Sequence, residues 1–278
     1  MPPLYIHIGT HKTGTTSIQV FLKQYEDRLA RRSIHVPVAG RVSPGSAGQH
    51  NIAWSLRADP RSEDRYGTLT DLTRELAGVR ARCAVLSSED FEYLVDRPEL
   101  LSRFETQIRA SGWSPHYILF LRNTRDYAIS LYHELQKHGD TDDFVTFTTE
   151  ILEHGYRRSH GDWVFYFDYP AFVARWRAAA TGPMTILSYD AACQGIGVIE
   201  TLLDILGAPP ALARAAAPGA KPWRHLLGRL GLDRARPQPP ARLNTNARTA
   251  SADMLALADR IAAAYPLPEQ LLSPAPRP

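Results

Sequence analysis

Short apolar runs alternate with amphipathic stretches along residues 4–207, and this alternation predicts the fold. Apolar runs rich in β-branched and aromatic residues predict strands at residues 4–8, 83–89, 116–121 and 184–188, with a further extended segment at residues 33–38. Amphipathic stretches predict helices at residues 15–32, 50–56, 68–81, 98–111, 127–135, 142–154, 169–180, 196–206 and 251–264. Strands separated by helices favour a parallel sheet with right-handed crossovers. We therefore expect an α/β protein with three layers, α/β/α.

The first predicted strand runs directly into a loop of Gly, Thr and Lys and then into a helix, in the sequence YIHIGTHKTGTTSIQ (residues 5–19). Gly9 frees the backbone for a tight turn, and a helix that begins near Gly14 offers unpaired N–H donors and the positive end of its dipole. The side chains expected to contact an anion are those of His11, Lys12, Thr13, Thr15, Thr16 and Ser17. Residues 9–16 are therefore a predicted phosphate loop.

The order of residues in the phosphate loop differs from that of an ATPase. A Walker A loop has its lysine immediately after the second glycine. Here Lys12 lies two residues before Gly14, and no lysine follows that glycine. The sequence thus predicts an anionic ligand but argues against an ordinary ATP-binding loop.

Two other predicted strands end in side chains that suit a nucleotide-dependent reaction. One is followed by Arg122, with Ser130 in the next helix. Such a pair can converge on one phosphate because the arginine side chain is a charged donor that can form two parallel hydrogen bonds. The other ends at Glu89. A carboxylate at the carboxyl edge of a parallel sheet lies where such folds bind ligands and can reach an acceptor hydroxyl.

These segments together resemble the sulfotransferases that use 3′-phosphoadenosine 5′-phosphosulfate (PAPS). The 5′-phosphosulfate loop of these enzymes has the pattern P-K-[ST]-G-[ST]-[ST], and HKTGTT matches it except that His11 replaces proline. Their 3′-phosphate motif is matched by Arg122 and Ser130, although Thr124 replaces a common proline. The resemblance implies a P-loop NTPase-like sulfotransferase fold of bacterial type, nearest in motif to glycan sulfotransferases. It also implies PAPS as donor, 3′-phosphoadenosine 5′-phosphate (PAP) as product, no metal, and Lys12 and Glu89 as catalytic residues.

The resemblance implies an acceptor hydroxyl or amine, on a carbohydrate or a glycolipid. Glu89 would be the base. An acid at a helix start can also serve as a cap, and the neighbouring acids Asp90 and Glu92 are alternative candidates for the base. His50 is a second candidate for contact with the acceptor or for the base. The aromatic residues Trp163, Phe165, Tyr166, Phe167 and Tyr169 are expected in the core or in a hairpin, with stacking on a sugar as the alternative.

Two rival functions stay open at this point. An ATP-dependent kinase with an altered loop would require Mg²⁺ and an acidic residue at a strand end, for which Glu89 or Asp90 would qualify. A nucleotide-binding protein without catalysis would keep the phosphate loop and turn over no acceptor.

Size and composition fit one catalytic domain over residues 1–207. The chain has 278 residues, of which 44% are hydrophobic, and a net charge of +3, which is too small to argue for nucleic acid. No run approaches the roughly 20 apolar residues of a membrane span, and the chain enters its first strand almost at once, so we expect a cytoplasmic protein without a signal peptide. The sequence has only two cysteines, Cys83 and Cys193, and this small number argues against a disulfide framework.

The composition changes at residues 208–248, which hold seven prolines and eight Lys or Arg residues against one acid, Asp233. With the last predicted helix, residues 208–278 form a basic, proline-rich arm that we expect to pack on the catalytic domain. The resemblance implies that a late loop closes the nucleotide site, with Asn244 in contact with the nucleotide. A tail without a role in ligand binding is the alternative.

Overall fold

A parallel sheet forms the centre of the protein in a computed structural model, which describes residues 1–214 and 250–274. The strands are β1 (Pro3–His7), β2 (Ile34–His35), β3 (Cys83–Ser87), β4 (Ser114–Leu121), β5 (Tyr156–Ser159), β6 (Trp163–Tyr166) and β7 (Met184–Ser188). Within the described residues, five strands form the sheet in the order β2-β3-β1-β4-β7, all parallel, and β5 and β6 form a separate antiparallel hairpin. The four predicted strands are confirmed, with small differences at their ends.

Helices connect the strands of the sheet. They are α1 (Thr15–Gln24), α2 (Glu26–Ala30), α3 (His50–Arg57), α4 (Leu69–Gly78), α5 (Pro98–Ala110), α6 (Thr124–Lys137), α7 (Phe144–His154), α8 (Tyr169–Ala179), α9 (Tyr189–Gln194), α10 (Val198–Ile205), α11 (Ala211–Arg214) and α12 (Ala252–Ala264), with short 3₁₀ helices at Asp64–Tyr66, Glu89–Asp96 and Glu269–Leu271. The prediction of one helix over residues 15–32 is wrong. The backbone leaves helical geometry at Tyr25, with φ −110° and ψ 12°, so two helices replace it.

Side chains of the central strands alternate between two hydrophobic cores. In β4, Tyr117, Leu119 and Leu121 belong to one core, whereas Ile118 and Phe120 belong to the other. Successive side chains of a strand point to opposite faces of a sheet, so each face is covered by its own helices. The second core includes α1 and α10, and the first includes α4, α5 and α8. The predicted three-layer α/β/α arrangement is confirmed.

The last helix packs on the same body as the sheet. Ala258 and Ile261 of α12 are buried in the first core, and the Thr124 hydroxyl donates to the Tyr265 carbonyl at 2.8 Å. The basic segment before α12, including Asn244, lies outside the described residues. Neither Cys83 nor Cys193 forms a disulfide within the described residues, and no helix of the described ranges has the length and apolar character to cross a membrane.

Candidate active site

Three strand ends meet at the carboxyl edge of the sheet. β1 lies between β3 and β4, with His7 opposite Ser87 on one side and Ile118 on the other. The phosphate loop after β1, Glu89 after β3 and Arg122 after β4 are therefore neighbours, although they are distant along the chain. Ligands of parallel sheets bind at this edge.

The backbone of the phosphate loop forms a cradle. Lys12 and Gly14 both have left-handed backbone geometry, with φ 63° and 79°. A Cβ on Gly14 would lie 3.2 Å from the Tyr189 ring, in a conformation that is strained for any other residue. Among the described residues, no acceptor pairs with the backbone N–H groups of residues 12–17. Clustered free N–H groups at the start of α1 are suited to an anion.

The hydroxyl groups of the phosphate loop divide into two sets. Thr13 is buried and donates to the Thr10 carbonyl, and Thr15 donates to Glu89 Oε1 at 3.1 Å. These two side chains therefore support the loop and Glu89. Thr16 is exposed and Ser17 is partly exposed, so their side chains are accessible to a ligand.

Arg122 is a buried cation with unused hydrogen-bonding capacity. Its residue is 7% exposed, its Nη1 donates to the Lys12 carbonyl at 3.3 Å, and its Nε has no partner among the described residues. Leaving a buried charged donor unpaired is costly. Ser130 is also buried, on the helix that begins just after Arg122. This arrangement suits a phosphate beside the loop.

Lys12 makes an ion pair across the site that the sequence did not predict. Its Nζ lies 2.9 Å from Glu134 Oε2 on α6, and Glu134 also pairs with Lys137 at 3.0 Å. Burial alone would raise the pKa of Glu134, but the charges and hydrogen bonds of Lys12 and Lys137 together outweigh it and lower the pKa to about 2. Glu134 lies one helical turn after Ser130, so helical spacing from that predicted site residue is the signal that could have found it.

Glu89 is a partly buried carboxylate held by neutral donors. Thr15 Oγ1 and Gln19 Nε2 donate to it at 3.1 and 2.8 Å, and it has no ion pair with any residue that the structure describes. Burial would raise the pKa of Glu89, but the charges of His50 and His11 lower it below its ordinary value. Ser88, rather than Glu89, caps the 3₁₀ helix, since its hydroxyl accepts the Asp90 N–H. Glu89 is thus ionised and available to accept a proton.

The other two acids of this segment are already paired with cations. Asp90 lies 2.8 Å from His50 Nδ1 and 3.3 Å from an Arg61 nitrogen. Burial lowers the pKa of His50, but its hydrogen bond to Asp90 and the nearby carboxylates raise it above the ordinary value. Glu92 lies 2.7 Å from His11 Nδ1. Glu89 is therefore distinguished from Asp90 and Glu92 by its partners.

A pocket of about 290 Å³ opens beside these groups. Its walls hold predicted site residues and others that the sequence did not single out: His11, His50, Trp54, Arg61, Glu89, Asp90, Tyr93, Leu131, Glu134, Leu135, His138, Trp163 and Phe165. Of the aromatic segment, Trp163 and Phe165 reach the pocket from the hairpin, whereas Phe167 and Tyr169 are buried in the core. The Arg61 guanidinium stacks on both Trp54 and Trp163, at 4.5 and 5.1 Å from the ring centroids.

The described parts of the chain contain no group of three or more His, Cys, Asp or Glu side chains arranged to hold a metal ion. The arrangement offers two chemical features. One is an anion cradle bordered by Lys12 and Arg122, and the other is a carboxylate, Glu89, on the wall of an aromatic pocket.

No known family profile matches the chain, and no curated protein matches it. Solved structures do resemble it. A sulfotransferase from Alicyclobacillus acidocaldarius has 17% identity over 83% of this chain and 92% of its own, with a TM-score of 0.44. Mouse sulfotransferase SULT7A1 complexed with PAP has 13% identity over 95% of this chain and 84% of its own, with a TM-score of 0.46. Values this low leave the assignment of function to the residues of the chain itself.

Proposed function

We propose that the protein is a PAPS-dependent sulfotransferase that transfers a sulfuryl group to a hydroxyl or amine of a carbohydrate or glycolipid in the cytoplasm. The observation that carries the proposal is the pair of adjacent anion sites, one formed by the free N–H groups of the phosphate loop and the other by buried Arg122 with its unpaired Nε. ATP and AMP have no 3′-phosphate. Two separate anion sites therefore favour a nucleotide with phosphate groups at both the 5′ and 3′ positions.

The donor would be held by residues of both sites. The free amides of the loop, with His11, Lys12, Thr16 and Ser17, would bind the 5′-phosphosulfate, while Thr13 and Gly14 maintain the conformation of the loop and Thr15 orients Glu89. Arg122 and Ser130 would bind the 3′-phosphate. Asn244 is a proposed contact from the arm.

The donor supplies a sulfuryl group on a good leaving group: a bond forms between sulfur and the acceptor oxygen or nitrogen as the bond between sulfur and the bridging phosphate oxygen breaks. Glu89 takes the proton of the acceptor, because it is ionised and no cation of the described residues is in direct contact with it. Lys12 leaves Glu134 and neutralises the charge that develops on the leaving oxygen. The remaining pair of Glu134 with Lys137 keeps that carboxylate compensated.

The pocket supports a carbohydrate acceptor. The indole rings of Trp54 and Trp163 offer flat faces, and the side chains of Asp90, Arg61 and Glu134 offer polar atoms around them. A pocket with apolar faces and a few placed polar groups is typical of small-molecule sites. His50 would contact the acceptor and position it against Glu89, since its Nδ1 is held by Asp90.

The test of this proposal is isothermal titration with PAP, AMP and ATP, without metal, of the wild type, Arg122→Ala and Arg125→Ala. We expect the wild type to prefer PAP, and Arg122→Ala to lose at least about 30-fold in PAP affinity, because a truncated buried charge contact costs about 2 kcal/mol or more. Arg125 is the matched control, since it is partly exposed and pairs with Asp259 on α12.

Three results would contradict the proposal. Equal affinity for PAP and AMP would remove the reason for a 3′-phosphate site. Binding of ATP only with Mg²⁺ would favour a kinase. Tight binding of PAP without transfer from PAPS to any member of a broad panel of sugars and glycolipids would favour a nucleotide-binding protein without catalysis.

A further inference from the structure

His11 is tied to one carboxylate at two points. Glu92 Oε1 lies 2.7 Å from His11 Nδ1, and Glu92 Oε2 accepts the backbone N–H of His11 at 3.1 Å. The Glu92 side chain is only 3% exposed, and a carboxylate this buried needs charged or hydrogen-bonding partners. His11 is that partner, and the two contacts fix the orientation of its ring.

The second ring nitrogen of His11 has a weaker partner than the first. With Nδ1 bound to Glu92, the one partner of Nε2 among the described residues is the Tyr93 hydroxyl, at a long 3.3 Å. Burial raises the pKa of Tyr93 well above its ordinary value, so this partner is a neutral phenol. An anionic oxygen is a much stronger acceptor than a phenol. His11 also lines the same pocket as Glu89 and Glu134, and Glu134 holds Lys12.

The surroundings of His11 favour its charged form. Burial alone would lower the pKa of His11, but Glu92 and the further carboxylates Glu89 and Asp90 raise it to about 9. His50 on α3 opposes them, as the charges of His50 and His11 disfavour each other. On the hairpin side the ring makes a T-shaped contact with Phe165, at 5.2 Å between centroids. An apolar wall strengthens charge interactions because it excludes water.

We infer that His11 is a catalytic residue of this reaction, the second cation beside Lys12, whose Nε2–H binds an oxygen of the sulfuryl group while that group passes to the acceptor. Glu92 is the positioning residue that orients the imidazolium. His11 keeps its proton throughout, and the acceptor proton goes to Glu89. The inference rests on the proposed function, and it gives the phosphate loop a role at the sulfur atom as well as at the phosphate.

The test compares His11→Gln, which keeps a donor but loses the charge, with the wild type. We expect kcat to fall about 10²-fold, as when one oxyanion donor is removed, with PAP affinity within about threefold, because PAP lacks the sulfuryl group. The matched control is His35→Gln. His35 also pairs with a glutamate, Glu75, at 2.9 Å, but lies outside the pocket.

The pH profile of kcat/KM separates a catalytic role from a structural one. The active form of His11 is protonated, so kcat/KM of the wild type should fall as pH rises through about 9. Glu92→Gln should move this fall towards the ordinary histidine pKa, near pH 6.5, because the largest of the carboxylate charges that raise the pKa of His11 is gone. Glu75→Gln should leave the alkaline fall of kcat/KM at the same pH as in the wild type.

Two results would overturn the inference. One is His11→Gln with kcat and the alkaline fall unchanged. The other is an equal loss of PAP affinity and of kcat/KM, which would limit His11 to nucleotide binding. Should His11→Gln fail to fold, NMR of the wild-type imidazole nitrogens replaces it: Nε2 of His11 should shift with PAPS and much less with PAP, and identical shifts contradict the role.

The failure of this inference is distinguishable from the failure of the proposed function. A wild type that prefers PAP over AMP and transfers sulfuryl groups, together with an unaffected His11→Gln, refutes only the role of His11. A wild type with no preference for PAP refutes the sulfotransferase itself.

Discussion

Replacing Glu89 with Gln is expected to reduce kcat for sulfuryl transfer by about two to four orders of magnitude, the range in which a general base contributes. Glutamine has nearly the same size but cannot take the acceptor proton. PAP affinity should change little, because Glu89 contacts Thr15 and Gln19 and has no place in the proposed 3′ site. The measurement is transfer from radiolabelled PAPS to an acceptor found by screening, with PAP titration beside it.

The pH profile shows which residue is the base. The pKa of Glu89 lies below its ordinary value, so it stays ionised as pH falls to about 5, and kcat/KM should be flat on the acid side down to that point. The pKa of His50 is raised. If His50 were the base, kcat/KM would already fall at a pH above the ordinary pKa of histidine, because a base must be unprotonated.

Two variants complete the comparison. His50→Gln should lower kcat less than Glu89→Gln if His50 only positions the acceptor. Glu99→Gln serves as control, because Glu99 is an exposed carboxylate on α5 paired with Arg97. A rate for Glu89→Gln within about threefold of the wild type, where a base contributes at least 10²-fold, would refute the role of Glu89 as base.

Much of the candidate site is predictable because its chemistry lies at the ends of strands. An apolar run that stops at a polar residue marks a strand end, and parallel strands place all their carboxyl ends at one edge. Glu89 and Arg122 were predicted on this basis, and the sheet order places them beside the phosphate loop. The local sequence pattern and the sheet topology together are therefore sufficient to predict that these residues are neighbours.

The pairing of side chains was not predictable, because it depends on packing between distant segments. Lys12 and Glu134 are separated by 122 positions, and His11 and Glu92 by 81. Nothing in either local sequence specifies the other partner. The sequence has three acids within four residues after β3, and only their contacts distinguish Glu89 from the two that pair with histidines.

The hairpin carries a pattern in its sequence that bears on the pocket. Residues 163–166 read WVFY, and residues two positions apart lie on the same face of a strand. Trp163 and Phe165 therefore face the pocket together. The alternation predicts that these two side chains share a face. That this face lines the pocket depends on how the hairpin packs against α6 and the 3₁₀ helix Glu89–Asp96, which the local sequence does not specify.

Lys12→Met is expected to lower kcat by about 10²- to 10³-fold, the usual effect of removing one group that stabilises developing charge. Methionine keeps the length of the side chain and loses the charge. The fold should persist, because Glu134 keeps Lys137 at 3.0 Å and His138 at 3.6 Å as partners. Single-turnover transfer from PAPS measures the chemical step, and thermal unfolding of the same sample checks the fold.

Lys137→Met is the control that separates catalysis from the ion pair. Lys137 contacts the same Glu134 oxygen as Lys12, but it is far more exposed and belongs to α6 rather than to the phosphate loop. If both variants slow transfer equally, the lower rate results from the loss of a partner of Glu134 and not from the loss of charge stabilisation at the leaving oxygen. The proposed role of Lys12 is then wrong. If only Lys12→Met is slow, the charge is required at the loop, where the bond to sulfur breaks.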